Sequence, residues 1–230
     1  MATDASLQNE NFEQKCLCVL VLDTSYSMDP DNPGIPGAID ELNAGLKRFQ
    51  DELLKDKVTK DRLEIAIVTF DSNVHTVQAP ALLTDFSMPT LTTDGTTCMV
   101  DGIQEAIDIV DDRKQYYKSH GIPYYRPWIV MMTDGYPDSD QDVDGMSAKI
   151  KAAHQNKEFV FMGVGVGDSI SEDTLKKLSQ SDFPPMKMQA VKFCEFFTWL
   201  SNSMSGVSNS TPGTDVSLPD PAKWLDDMIR

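Results

Sequence analysis

Positive charge is scarce in this chain of 230 residues. Its 20 Lys and Arg stand against 36 Asp and Glu, for a formal net charge of −16. That deficit excludes a DNA, RNA or anionic-membrane surface as partner, because each must be met by cations that replace released counterions. Long apolar runs are missing too: Cys16–Leu22 and Trp128–Met132 fall far short of the ~18 residues of a spanning helix. The opening stretch MATDASLQNENFEQK lacks a basic and an apolar segment, so it is not expected to be a secretory signal. Cysteine is limited to positions 16, 18, 98 and 194. A lone C-x-C with no second pair is not a zinc pattern, and strand geometry puts Cys16 and Cys18 about 6.6 Å apart, at the limit for a disulfide. The thiols are therefore expected to be buried in a reducing cytoplasm. Walker A, G-x-S-x-G and internal repeats are all absent.

What is present is enough for a core, with 40% hydrophobic and 8% aromatic residues. Cys16–Leu22 is a continuous apolar run, as in a strand covered on both faces. Ile39, Leu42, Leu46, Phe49 and Leu53 recur at helical steps, followed by a strand at Leu63–Phe70 and a weaker edge strand at Val74–Ala79. Val100, Ile103, Ile107 and Val110 mark another helix, Trp128–Thr133 a strand, Met146, Ile150 and Ala153 a helix, and Phe159–Val166 a strand. Ser169 with Glu172 reads as a capping box, Ala190-Val191 as a last strand, and Phe193 to Met204 as a final helix. This alternation predicts an α/β, doubly wound (Rossmann-like), mostly parallel sheet with one antiparallel edge strand and helices on both faces. The expected divisions are a polar extension over 1–13, a domain over 14–207, and a linker with docking tail over 208–230, with small polar residues from Ser205 to Thr214.

Ligand sites in such sheets lie at the carboxyl ends of the strands, where the strand order reverses. Three loops fall there: Asp23-Thr24-Ser25-Tyr26-Ser27-Met28, Thr93-Asp94-Gly95-Thr96-Thr97 and Thr133-Asp134-Gly135. They gather the carboxylates of Asp23, Asp94 and Asp134 and several hydroxyls with no Lys, Arg or His. Oxygen without nitrogen or sulfur suits a hard cation such as Mg²⁺. Two carboxylates roughly cancel a divalent charge, so the cation keeps an appetite for one further anionic oxygen.

Asp23-x-Ser25-x-Ser27, the Gly-Thr-Thr loop and Thr133-Asp134-Gly135 together resemble the metal-ion-dependent adhesion site of a von Willebrand factor A (vWA) domain. The resemblance covers about residues 14–207, in the family's order. It implies the vWA fold and a metal site of Asp23, Ser25, Ser27, Thr97 and Asp134, with Thr96 the fallback for Thr97. Tyr26, where Gly is usual, Thr96, which replaces a second Gly, and Tyr136 would rim it. It further implies Mg²⁺, with Mn²⁺ or Ca²⁺ as alternatives, and a protein partner offering Asp or Glu to the metal. Trp199-Leu200-Ser201, Ser208-Asn209-Ser210, Pro212-Gly213 and Val216-x-Leu218-Pro219 resemble small cytosolic bacterial members associated with tellurite resistance and stress. There the partner would be a kinase, a phosphatase or another resistance protein. The expectation is a non-enzymatic binding module. The alternatives are a metal-dependent phosphohydrolase, or a scaffold with an unused motif.

Other patterns carry blander expectations. Gly163-Val-Gly165-Val-Gly167 lacks dinucleotide-loop spacing and should be structural. Asp138, Asp140, Asp142 and Asp144 fail the calcium-loop pattern at Val143 and Lys149, and read as charge at a helix N-terminus. His75, His120 and His154 lie away from the three loops, which leaves Ser25 and Ser27 without a general base.

Overall fold

A computed structural model describes residues 13–29, 31, 36–168, 170–179, 184–189 and 192–220, and the backbone of 227 and 228. Six strands, β1 (Cys16–Asp23), β2 (Leu63–Phe70), β3 (Val74–Leu82), β4 (Trp128–Thr133), β5 (Val160–Val166) and β6 (Met186–Met188), form one sheet. A two-residue β7 (Asp227–Met228) extends it, giving the order β3-β2-β1-β4-β5-β6-β7. β1, β2, β4, β5 and β6 run parallel, β3 is antiparallel to β2, and β7 is antiparallel to β6. This is the doubly wound architecture that the alternation predicts, and the order reverses between β1 and β4.

The β1 run is apolar at every position up to Asp23 because both its faces are covered. Cys16, Cys18, Leu20 and Leu22 pack with α1 (Ala38–Leu53) and α6 (Phe193–Ser208). Leu17, Val19 and Val21 pack with α3 (Met99–Ser119), α4 (Val143–Gln155) and α5 (Glu172–Leu178). Each fully buried Leu, Val or Phe contributes roughly 1.5–3 kcal/mol against exposure, which anchors the strand ends that carry the loops. All four cysteines are free thiols. Burial pushes the Cys16 thiol up to about 12, so it packs as a small hydrophobe.

Several local expectations change. The helix at 172 is capped by Ser171, whose side chain accepts from Thr174 N, rather than by Ser169, which lies outside the described residues. The last parallel strand is Met186–Met188; Ala190 and Val191 lie outside the described residues. A short α2 (Lys57–Arg62), too brief for periodicity to show, precedes β2 under an Asp56 cap. The final helix continues to Ser208, so Ser205–Ser208 are helical rather than linker. Beyond it, Tyr125 Oη donates to Ser208 O and Ser210 O, and Trp199 Nε1 donates to Pro219 O at 2.8 Å. Val216 and Leu218 pack on the core. The amphipathic Trp224-Leu225 and Ile229 lie outside the described residues, as does most of the 1–13 extension.

Candidate metal centre

β1 and β4 are neighbours, so their last residues, Asp23 and Thr133, emerge side by side at the reversal of strand order. Asp23 is 1% exposed. Its Oδ1 accepts from Ser25 N at 2.9 Å, an Asx turn that bends the chain out of the strand. Its Oδ2 accepts from Thr133 Oγ1 at 2.6 Å. Each carboxylate oxygen retains a second lone pair. A 3₁₀ turn over Tyr26–Met28 follows, and it brings the Ser25 and Ser27 hydroxyls within 2.9 Å. Ser27 Oγ donates to Asp134 Oδ1 at 2.6 Å. The loops after β1 and β4 thus form one hydrogen-bonded chain from Asp23 through Ser25 and Ser27 to Asp134.

The second loop is pinned from both sides. Gly95 has φ +64, and an added Cβ would sit 2.3 Å from Ser72 Oγ, so only glycine serves there. Tyr26 N donates to Gly95 O at 3.1 Å, and Asp94 N to Thr24 O at 2.9 Å, tying this loop to the first. Asp138 Oδ2 accepts from Thr96 Oγ1 at 2.7 Å and from Thr97 N at 3.1 Å, while Asp138 N donates to Thr97 O. Gln141 Oε1 accepts from Val100 N and Asp101 N, capping α3 from the loop after β4. The Thr96 hydroxyl is committed to Asp138, with Ser72 Oγ 3.2 Å away. Buried Thr97 is therefore the stronger candidate ligand of the two. Tyr26 and Tyr136, 68% and 66% exposed, stand outward beside the site.

The electrostatics are those of negative charge without a local counterion. Burial, then the charge of Asp134, pushes the Asp23 carboxyl up to about 7, against the bonds from Ser25 and Thr133. Burial also raises Asp134, opposed by the Ser27 bond. Among the described residues neither carboxylate has a Lys or Arg ion-pair partner, and Asp134 Oδ2, buried, accepts no hydrogen bond. A buried carboxylate oxygen in that condition costs free energy that a cation would recover. Among the described residues no three His, Cys, Asp or Glu gather as a metal cluster; this centre has two acids and its other donors are hydroxyls. That donor set fits a hard divalent cation.

Sequence reasoning passed over two members of this arrangement. Thr133 stands in the motif loop, yet its role depends on β1 and β4 being neighbours. Asp138 reads in sequence as helix-terminus charge, but it clamps the threonine loop, and it is Asp142 that caps α4 by accepting from Gly145 N. The glycine run is structural: Gly163 and Gly165 lie in β5 beneath Ile170 and Leu175, and Gly167 turns with φ +76. His75 lies on β3, His120 caps the end of α3, and His154 is in the last turn of α4.

The family model for the von Willebrand factor type A domain matches residues 18–196. No curated protein matches the chain. Among solved structures, proximal thread matrix protein 1 from the mussel byssus, in a form with its MIDAS motif occupied by zinc, is 19% identical. Its TM-score is 0.56, over 86% of this chain and 46% of that one. The ArnB paralog VWA2 from Sulfolobus acidocaldarius is 17% identical with TM-score 0.54, over 83% of this chain and 45% of that one. The vWF domain of the type V pili tip protein Mfa5 from Porphyromonas gingivalis is 12% identical with TM-score 0.59, over 88% of this chain and 99% of that one. This chain therefore spans less than half the length of the first two. At these identities the likeness establishes the shared fold.

Proposed function

The chain belongs to the von Willebrand factor type A domain family, and from that premise we propose that it is a protein-binding module working through a divalent cation. Asp23, Ser25, Ser27, Thr97 and Asp134 would hold the cation, and an Asp or Glu of a partner protein would complete its coordination. The observation that carries this reading is the pair of buried carboxylates, Asp23 and Asp134, joined through two serine hydroxyls and, among the described residues, without a Lys or Arg ion-pair partner. When bound, the metal supplies Lewis acidity toward an incoming carboxylate. The protein's part is to orient the donors. Thr133 and Ser25 N hold Asp23, Ser27 holds Asp134, and Asp138 holds the threonine loop. Tyr26, Tyr136 and Thr96, all exposed, would form the rim a partner meets first.

The zinc-occupied MIDAS of the mussel relative supports a divalent ion at such a site. Mg²⁺ is the ion we favour here, because the donors are all hard oxygens, with Mn²⁺ and Ca²⁺ next. We read the module as non-enzymatic, since no histidine stands in the three loops to act as base. The finer assignment is a cytoplasmic bacterial stress or tellurium-resistance role beside a kinase, phosphatase or other resistance protein. It rests on the resemblance of the C-terminal segment alone. Among the described residues no helix is long and apolar enough to cross a membrane.

Pull-down of native partners with Mg²⁺ or EDTA, using wild type, Asp23→Ala and Thr97→Ala, tests the reading. Partners should be retained by the wild type with Mg²⁺ and lost in the other conditions. Equal retention throughout would sink the adhesion mechanism. Phosphoester turnover abolished by Asp23→Ala would make the protein an enzyme instead.

A further inference from the structure

At the opposite pole, below the amino ends of β4 and β5, lies a cavity of about 900 Å³ whose charge reverses that of the molecule. Four cations, Lys114, Lys118, Arg126 and Lys157, line it against two acids, Glu158 and Asp215, in a chain of net charge −16. The cavity is within the ~300–1,000 Å³ of small-molecule sites. Its cations come from separate elements. Lys114 and Lys118 stand one turn apart on the same face of α3. Arg126 precedes β4 and is held by a 3.3 Å bond from Nη2 to His154 O. Lys157 follows α4. Lys114 reaches Asp111 at 3.4 Å, whereas among the described residues Lys118 and Lys157 form no ion pair. The outer wall is the segment after α6, anchored through Tyr125 Oη to Ser210 O, and the half-buried ring of Tyr124 adds an apolar surface.

A second observation points to the same residue. Lys157 has φ 56, and among the described residues it is the one non-glycine with positive φ. It occupies the position just past a helix end where glycine is the unstrained choice and a side chain with a Cβ is strained. The strained residue is one of those that line the cavity, and it carries an ammonium group that glycine would not supply.

We propose that this cavity is a binding site for a multiply charged phosphate ester, whose phosphoryl oxygens are held by Lys118, Lys157 and Arg126. A phosphate dianion offers more acceptors than a lone carboxylate and so suits a cavity whose cations are supplied by separate segments of the chain. The site is independent of the metal centre, which lies at the other ends of the same strands.

Calorimetric titration of the full chain with ADP and with pyrophosphate, in EDTA to remove divalent metal, tests it. Saturable one-to-one binding of either anion is expected, weakened about tenfold by Lys118→Gln through loss of a charge-assisted bond. Lys157→Gly should weaken binding while raising Tm, because it relieves the backbone, a combination that a purely structural role for Lys157 would not give. Asp23→Ala should bind as the wild type does. Absence of saturable binding of both anions up to about 10 mM, or unchanged affinity in the Lys118→Gln/Lys157→Gly double variant, would overturn the proposal.

Discussion

Two buried carboxylate sites occupy opposite ends of neighbouring strands, and the fold treats them in opposite ways. Glu64, 3% exposed near the start of β2, is closed upon itself. Arg113 Nε and Nη2 donate to its two oxygens at 2.6 and 2.7 Å, and Tyr117 Oη donates at 2.6 Å. The Arg113 guanidinium lies over the rings of Tyr116 and Tyr117, 4.3 and 5.2 Å from their centroids. Asp23 ends β1, six residues beyond Leu17, the partner of Glu64, or about 20 Å along the sheet. It has hydrogen-bond donors but, among the described residues, no Lys or Arg ion-pair partner, and a second buried carboxylate nearby. Burial alone therefore does not mark a functional acid. Glu64 has its countercharge in Arg113, which makes it structural; among the described residues Asp23 and Asp134 have none, which makes them receptive to an ion from outside.

The largest expected effect comes from opening the closed site. Glu64→Ala leaves the Arg113 guanidinium, three-quarters buried, without its partner, and should cost about 3 kcal/mol in denaturant unfolding while metal affinity stays unchanged. A comparable loss in metal affinity would dissolve the distinction between the two poles.

The open site should show its character in pH. In the metal-free protein the folded Asp23 titrates at about 7, above the ordinary 3.8, so between these values the folded state takes up a proton that the unfolded chain has released. Stability attributable to this group is absent at high pH and appears as pH falls through 7. The gain between pH 8 and pH 5 should be about 2 kcal/mol, read from chemical denaturation. Asp134 moves in the same direction. Asp23→Asn should flatten this slope, and a slope of opposite sign would refute the account of an uncompensated buried charge.

Thr133→Val removes the hydroxyl that orients Asp23 and touches nothing at the Glu64 end. It should weaken divalent-metal binding about tenfold with little change in Tm, the usual size for a residue that positions a ligand. The smallest effect is expected at neither pole. Lys177→Ala breaks an exposed ion pair with Asp144 and should leave the denaturant unfolding midpoint essentially unchanged, because solvent screens such a pair.

Much of the fold was legible because the period of the apolar residues reports burial directly. The β1 run had to be covered on both faces, and the α1 positions from Ile39 to Leu53 had to share one face. The oxygen-rich loops were legible for a related reason: Asp23, Ser25 and Ser27 are close in sequence, so their spacing already encodes a local turn. What escaped depends on neighbours distant along the chain. The bond from Thr133 to Asp23 spans 110 positions, and that from Thr97 to Asp138 spans 41. Nothing near Glu64 in the strand signals its partners, Arg113 and Tyr117, which α3 brings from 49 and 53 positions away. Capping at Ser171 rather than Ser169 differs by two residues, a scale on which several serines satisfy the same pattern.

The most direct test of the central claim is calorimetric titration of Mg²⁺ into the metal-stripped protein at pH 7.5, wild type beside Asp23→Asn. The account predicts one site per chain in the wild type and none in the variant, with both remaining folded. Absence of binding in the wild type at millimolar Mg²⁺ and Mn²⁺, or equal affinity in the two proteins, would contradict it.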